Sequence, residues 1–347
     1  MTLKEAGIDF KRIPLPESVV QITPDKYTPE IKKGSKKSVI HDVKKLIIPS
    51  LEFKKDLGND FKNFISRKAE TQLSIVIDQK DQDLIWLDYK EHGDLIENNH
   101  IYVAPYSKGT IVMDYNNFEN SVHHGLTRIV VDEGAELTLI KIQNNHLDSQ
   151  FIDQTQTEIH DNGLLKVVDI QLGSKNMIIN YDTNLKGYKS KCVYKSLYMA
   201  ADDRGLDLSF TANHIGKKTQ SDILGKGVLG GEAKKVFRGT LHFERGAVQS
   251  VGKEEEVVLL LSETVKADSI PALMCSEDDV IGEHGASIGQ LDENRLFYLM
   301  SRGLSEKEAK LLVISSSFKE VIEDIADEDI KLKSLESVDR SINYVIA

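Results

Sequence analysis

Apolar and polar residues alternate in short, recurring runs through the middle of the chain. Leu73-Ser-Ile-Val-Ile77, Ile101-Tyr-Val-Ala104, Thr110-Ile-Val-Met113, Arg128-Ile-Val-Val131 and Leu137-Thr-Leu-Ile140 are rich in β-branched residues, and this texture continues to Ser287-Ile288. Such runs predict strands from about residue 71 to residue 291. Three turns among them look alike: Asp132-Glu133-Gly134, Asp161-Asn162-Gly163 and Asp203-Arg204-Gly205. Alternating apolar pairs follow each one, Leu137/Leu139, Leu165/Val167 and Leu206/Leu208. Their glycines lie 29 and 42 residues apart, so the second interval has room for two coils of about 21 residues in a solenoid. An antiparallel sandwich with Asp-x-Gly hairpins fits the same pattern. Helical periodicity between the strands is missing, which disfavours a doubly wound α/β fold.

The flanks differ. Residues 1–70 are polar and lysine-rich, interrupted by Pro14, Pro16, Pro24 and Pro29, with helical spacing from Leu51 to Phe64. They form an N-terminal, partly helical extension. After Leu291 the pattern becomes helical again. Asp292 is placed to N-cap a helix from Glu293 to Met300, and Gly303 to end it. Ser305-Glu306-Lys307-Glu308 is a capping box with Leu304 available as a staple. The helix it opens carries Ala309, Leu312, Val313, Val321, Ile322 and Ile325 on its apolar face, and a third amphipathic segment runs from about Ile330 to Ile342. The expected organisation is thus an extension (1–70), a β core (71–291) and a helical domain (292–347).

Composition narrows the function. Lys and Arg number 44 against 55 Asp and Glu, a net charge of −11, which argues against nucleic acid and anionic membrane as partners. The longest apolar runs, such as Val257-Val-Leu-Leu-Leu261, fall far short of the ~20 residues of a membrane helix. Met1-Thr-Leu-Lys-Glu-Ala6 lacks the basic flank and apolar core of a secretion signal, so a cytoplasmic location is expected. Two cysteines, Cys192 and Cys275, make neither a disulfide framework nor a cysteine-only metal site. Both are expected to be small, buried, apolar residues.

Several usual signatures of catalysis are missing: no phosphate-binding Gly-x-x-x-x-Gly-Lys loop, no His-Glu-x-x-His and no Cys-x-x-Cys. Gly225-Lys-Gly-Val-Leu-Gly-Gly231 reads as turns between strands. His123 and His124 would point to opposite faces of a strand and are expected at the surface or in a turn. Glu254-Glu255-Glu256 reads as a solvated turn. In Asp278–Ser287, His284 beside Glu283 offers an imidazole and a carboxylate suited to iron. Two ligands do not close a coordination sphere, so a partner chain or thiols would have to supply the rest; the alternative is a structural, hydrogen-bonding histidine.

The stretch from His214 to Phe318 resembles the SufB/SufD family of iron–sulfur cluster assembly proteins. The matching pieces are Thr219-Gln-Ser-Asp222 with Lys226-Gly-Val-Leu229, Val236-Phe-Arg-Gly239, Leu259-Leu-Leu-Ser262, Lys266-Ala-Asp-Ser-Ile-Pro-Ala-Leu273, Glu283-His-Gly-Ala-Ser287 and Leu296-Phe-Tyr-Leu-Met-Ser-Arg-Gly303. The resemblance implies a right-handed parallel β-helix between a variable N-terminal region and C-terminal helices. It also implies a scaffold rather than an enzyme. Such a subunit pairs with a SufB-like paralogue, or with itself when isolated, while its C-terminal helices dock the SufC ATPase. No tightly bound cofactor is implied, only transient iron or an Fe–S cluster at the interface with SufB.

His-Gly-Ala at His284-Gly285-Ala286 follows the SufD pattern, where SufB-like chains read Glu-His-Glu-Ala. Glu283 nevertheless matches SufB, and Gly282 stands where the SufD pattern carries a cysteine. His284, with Glu283, is then this chain's contribution to the interface. Tyr298, Leu299 and Arg302 mark the implied SufC-docking helix; alternatively, Phe297, Tyr298 and Leu299 seat that helix on the end of the solenoid. Two other functions remain in view. One is a SufB-like homodimeric scaffold. The other is a β-helix enzyme acting on polysaccharide, which would be expected to show a groove of paired acids or calcium-binding Asp clusters and a secretion signal.

Overall fold

The computed structural model describes residues 27–33, 39–40, 57, 59–78, 83–90 and 93–346. In chain order the elements begin with β1 (Glu30–Lys33), β2 (Val39–Ile40), α1 (Asn59–Lys68), β3 (Ser74–Ile77), β4 (Asp83–Lys90), β5 (Leu95–Val103), β6 (Lys108–Asn116) and β7 (Val122–Val131). They continue with β8 (Glu136–Gln143), β9 (Gln150–Ile159), β10 (Leu164–Gln171), β11 (Asn176–Leu185), β12 (Lys191–Ala200), β13 (Gly205–His214), β14 (Gln220–Leu229) and β15 (Lys234–Phe243). The last are β16 (Ser250–Leu260), β17 (Lys266–Ser269), β18 (Ala272–Cys275), β19 (Val280–Gln290), α2 (Glu293–Ser301), α3 (Glu306–Ile322) and α4 (Glu328–Val345).

From β3 to β17 odd and even strands separate into two sheets, β1-β4-β6-β8-β10-β12-β14-β16-β19 and β17-β15-β13-β11-β9-β7-β5-β3-β2, with β18 also pairing with β15. From β3 onward every pairing is parallel, while β1 and β2 join antiparallel. The result is a parallel β-solenoid of about eight coils with a small helical part at its C-terminal side. A sandwich of antiparallel hairpins is excluded by this register.

Coil length differs from the expected 21. Glu136, Leu164, Lys191 and Gln220 occupy one ladder position in successive coils, so a coil takes 28, 27 and 29 residues. Gly134 and Gly163 precede strands of one sheet, whereas Gly205 opens β13 in the other. The 42-residue interval is therefore one and a half coils. Nothing in the turn sequences distinguishes the two sides.

Alternation along each strand divides the fold into an interior and two outer faces. Ile111, Leu139, Val167, Tyr194 and Phe237 fill the interior, where like residues stack from coil to coil; the rings of Tyr181 and Phe210 lie 5.3 Å apart and nearly parallel. Each fully buried apolar side chain contributes about 1.5–3 kcal/mol. On one outer face Ile140, Ile142, Val168, Leu197 and Met199 pack under α3 and α4 through Ile314, Phe318, Ile330, Val338 and Ile342. On the other, Ile96, Leu126 and Ile152 lie under Phe61, Phe64 and Ile65 of α1.

The expected caps form: Asp292 accepts from the amides of Asn294 and Arg295, Ser305 and Glu308 close the capping box, and Gly303 has φ +100°. Leu312, assigned to the apolar face of α3, is exposed, and Ile325 packs from just beyond the helix. Of the expected helix from Leu51 to Phe64, residues 51–56 and 58 lie outside the described residues. Gly225 and Gly227 belong to β14 rather than to a turn, because they face aromatic rings of the interior; a Cβ on Gly227 would lie 2.3 Å from the Tyr198 ring. His123 and His124 are both buried in β7, not at the surface: His123 faces the interior, and His124 lies against Phe61 and Phe64.

Candidate functional site: the terminal coil

In the last coil the inner row of side chains reaches solvent. Along β16 the residues Gly252, Glu254, Glu256 and Val258 are buried, and Val251, Lys253, Glu255 and Val257 are less so, which identifies the even positions as inward-facing. β19 runs beside it with His284 opposite Glu254 and Glu283 opposite Lys253. Side chains alternate along a strand, so His284 belongs to the inner row and Glu283 to the outer row. The two residues singled out together from the sequence are thus on opposite faces of one strand, both exposed. A recess of about 320 Å³ runs along this edge, lined by Glu254, Glu256, Glu283, His284 and Ser287.

Beside His284 lies a carboxylate pair that is not the expected solvated turn. Glu256 is fully buried and accepts from Lys235 Nζ at 2.7 Å and from the hydroxyls of Tyr198 and Ser269. Burial pulls the Lys235 pKa down, against the opposing effect of Glu256. Glu254 is 2% exposed, and its Oε2 accepts no hydrogen bond. Burial, and then the neighbouring Glu256 carboxylate, push its pKa up to about 7. Glu254 therefore exchanges a proton near neutrality, one ladder step from an exposed imidazole. The sequence held a signal for this: the Glu run enters Val257–Leu261 with no turn residue between, so it is strand.

The cysteines divide. Cys192 is buried, and burial raises its thiol pKa well above the ordinary value. Cys275, expected to be buried, is exposed: it pairs with Phe243 of the inner row, but no further coil covers it among the described residues. Leu273, Met274, Ile281 and Ile288 are exposed in this same coil. Among the described residues β19 ends its sheet, with no strand paired on its outer edge.

Of the other three singled-out residues, Tyr298 and Leu299 lie on α2 and Arg302 caps its C-terminus. No residue of α2 is buried; Phe297 is 74% exposed, and Tyr298 and Met300 are exposed too. Leu299 is half-buried, and the exposed Arg302 guanidinium lies 5.3 Å from the Tyr298 ring. Seating on the solenoid end does not account for Phe297 or Tyr298. Instead α2 borders a groove of about 510 Å³ with Leu260, Leu261, Leu291, Leu296 and Phe297 in its lining.

A parallel β-solenoid with an open terminal coil and a projecting helix is a protein built to present edges and faces. The SufBD core domain of the SUF system for FeS cluster assembly matches residues 87–317, from β4 into α3, and the chain belongs to that family. It is 28% identical over 260 residues to the iron-sulfur cluster assembly protein SufD of Bacillus subtilis (strain 168), covering 73% of this chain and 59% of that protein. It is also 30% identical over 195 residues to iron-sulfur cluster assembly SufBD family proteins of Staphylococcus epidermidis and Staphylococcus haemolyticus, covering 56% of this chain and 42% of each. The chain thus spans about half the length of these curated relatives. Within the family it is most like SufD. No helix among the described residues is long and apolar enough to cross a membrane.

Proposed function

We propose that this chain is a non-catalytic, cytoplasmic scaffold subunit for de novo iron–sulfur cluster formation. Its terminal coil would pair with the solenoid of a SufB-like paralogue, or with a second copy when none is present. The observation that carries the reading is the free edge of β19, with exposed apolar residues around it and His284 on its inner row. Unpaired strand edges and exposed apolar patches are costly unless covered. In this arrangement His284 offers an imidazole to iron or to a nascent cluster held only in transit, and the partner chain completes the coordination. Glu283, on the outer row, contributes to the rim rather than beside His284. Tyr298 and Leu299 on α2, with Arg302 at its C-cap, form part of the surface that docks the SufC ATPase.

Size-exclusion chromatography with light scattering, using this chain with its cognate SufB and SufC, tests the reading. A stable ternary complex is expected, and His284→Ala is expected to enter it while lowering cluster formation. A chain that elutes alone in the presence of both partners sinks the scaffold assignment; an undiminished cluster yield from His284→Ala sinks the role given to that residue.

A further inference from the structure

A second polar cluster lies deep in the interior, far from the terminal coil. Glu97 of β5, His123 of β7 and Asp153 of β9 come from three successive coils, and each is fully buried. Glu97, Gly125 and Asp153 occupy one ladder row, and the His123 ring reaches into that row over Gly125. The glycine is what makes this convergence fit: a Cβ at position 125 would lie 2.6 Å from Asp153 Oδ1 and 2.7 Å from His123 Nε2. Glu97 Oε1, His123 Nε2 and Asp153 Oδ1 all lie within 4.8 Å of one another.

Their separations suit an ion better than direct contact. His123 Nε2 stands 3.5 Å from Glu97 Oε1 and 4.0 Å from Asp153 Oδ1. A charge-assisted hydrogen bond would bring such atoms to about 2.7–2.9 Å. A tetrahedral divalent ion with bonds near 2.1 Å sets its donors roughly 3.4 Å apart. Asp153 Oδ1 faces the gap and accepts no hydrogen bond.

The two carboxylates are also held from behind, as metal ligands are. Asn99 donates to Glu97 Oε2 at 2.8 Å and the Tyr115 hydroxyl to Oε1 at 2.5 Å. Lys141 Nζ donates to Asp153 Oδ2 at 2.6 Å and to Thr155 at 2.9 Å. The His123 ring stacks on Phe151 at 4.2 Å.

Charge balance points the same way. Lys141 is the one buried ammonium of this cluster, and it faces Glu97, Asp153 and Asp169, whose own ladder partner it is. Three carboxylates against one ammonium leave a deficit of two charges when all are ionised.

We propose that Glu97, His123 and Asp153 bind one divalent first-row transition ion, such as Zn²⁺, Mn²⁺ or Fe²⁺, that pins three coils of the solenoid together. One imidazole and two carboxylates form a donor set for borderline ions. The site is buried, so the ion enters as the coils close and is not exchanged with the surface.

The test is the metal content of the full chain, refolded with Zn²⁺ or Co²⁺ and then desalted. About one equivalent is expected in the wild type, with a visible cobalt spectrum carrying a nitrogen ligand. His284→Ala is expected to keep that equivalent, whereas His123→Gln and Glu97→Gln lose it. A wild type that retains less than a tenth of an equivalent from either ion overturns the proposal. An ion lost with His284→Ala but kept by His123→Gln also overturns it. Because the readout needs no partner chain, its failure is separable from failure of the scaffold assignment.

Discussion

His284 stands in ladder register with Glu254, an exposed imidazole one strand beyond a carboxylate that has no hydrogen bond to its Oε2. The pairing follows from the solenoid itself. Each coil covers the one before it, and β19 has no successor among the described residues, so a residue type that would be buried elsewhere is presented at the end. A partner solenoid placed there would bury the imidazole and the carboxylate together.

Glu254 makes the isolated chain sensitive to alkali. Its pKa is raised from the ordinary carboxylate value to about 7, so its favourable neutral form prevails at low pH, and that stabilising contribution is lost as pH rises through 7. Glu254→Gln, neutral at every pH, is expected to raise the melting temperature at pH 8 by roughly 2–4 °C and to leave it nearly unchanged at pH 5. Differential scanning calorimetry at the two pH values checks this. An equal gain at both would show that the carboxylate is not the titrating group.

His124 acts in the opposite sense. Burial against Phe61 and Phe64 lowers its pKa to about 3, so it stays neutral in the folded chain while the unfolded chain takes up a proton below about 6.5. Stability is therefore complete above pH 6.5 and falls as pH drops toward 3, by about 1.4 kcal/mol per pH unit for this residue. His124→Leu is expected to flatten the decline seen in urea titrations between pH 6.5 and 4.5. An unchanged slope would return the acid sensitivity to the other histidines whose pKa burial lowers, His100 and His214.

The strands, the capped helices and the family motifs were legible because each rests on local spacing: alternation for β8 and β10, Asp292 and Ser305 for the helix starts. Coil length was not, since equal Asp-x-Gly turns occur on both sides of the solenoid and only pairing register tells Gly163 from Gly205. The site was half legible. The segment around His284 carried its own motif, yet strand alternation places Glu283 on the other face, and reading Glu254–Glu256 as a turn concealed the carboxylate beside the histidine. The Glu97, His123 and Asp153 cluster had no local signal, because its members lie a coil apart and converge only through register and a missing Cβ at Gly125.

Two glycines separate packing from function. Gly227 faces Tyr198 at a distance no Cβ tolerates, so Gly227→Ala is expected to cost about 1–3 kcal/mol through overpacking. Gly285, inside the family motif, has open space where its Cβ would be, so Gly285→Ala is expected to stay within about 0.5 kcal/mol of the wild type. Chemical denaturation ranks the two. A destabilising Gly285→Ala would mean that the terminal coil is tighter than its exposure suggests.

The apolar docking of α4 is joined by a charged contact reaching back across most of the chain. Lys333 pairs with Asp114 of β6, whose carboxylate also accepts from the Trp86 indole at 3.3 Å, and Lys32 and Lys333 lie 4.8 and 5.5 Å from the Trp86 ring. Burial raises the Asp114 pKa, with Lys333 pulling against it. Removing the ammonium by Lys333→Met leaves a buried carboxylate with the indole as its remaining polar contact. Its cost is expected near 2 kcal/mol at pH 7, at the low end for a buried pair because Lys333 is partly exposed. The deficit should shrink on acidification, since a protonated Asp114 no longer needs the cation, and adding Asp114→Asn should recover most of it at neutral pH. The same cycle bears on the projecting helix. α2 contacts α3, and α3 and α4 lie together on the sheet, so under the proposed SufC docking the loosening of α4 in Lys333→Met should weaken that binding without touching Tyr298, Leu299 or Arg302. SufC binding that stays constant while stability falls would show that α2 is presented independently of the helices beneath it.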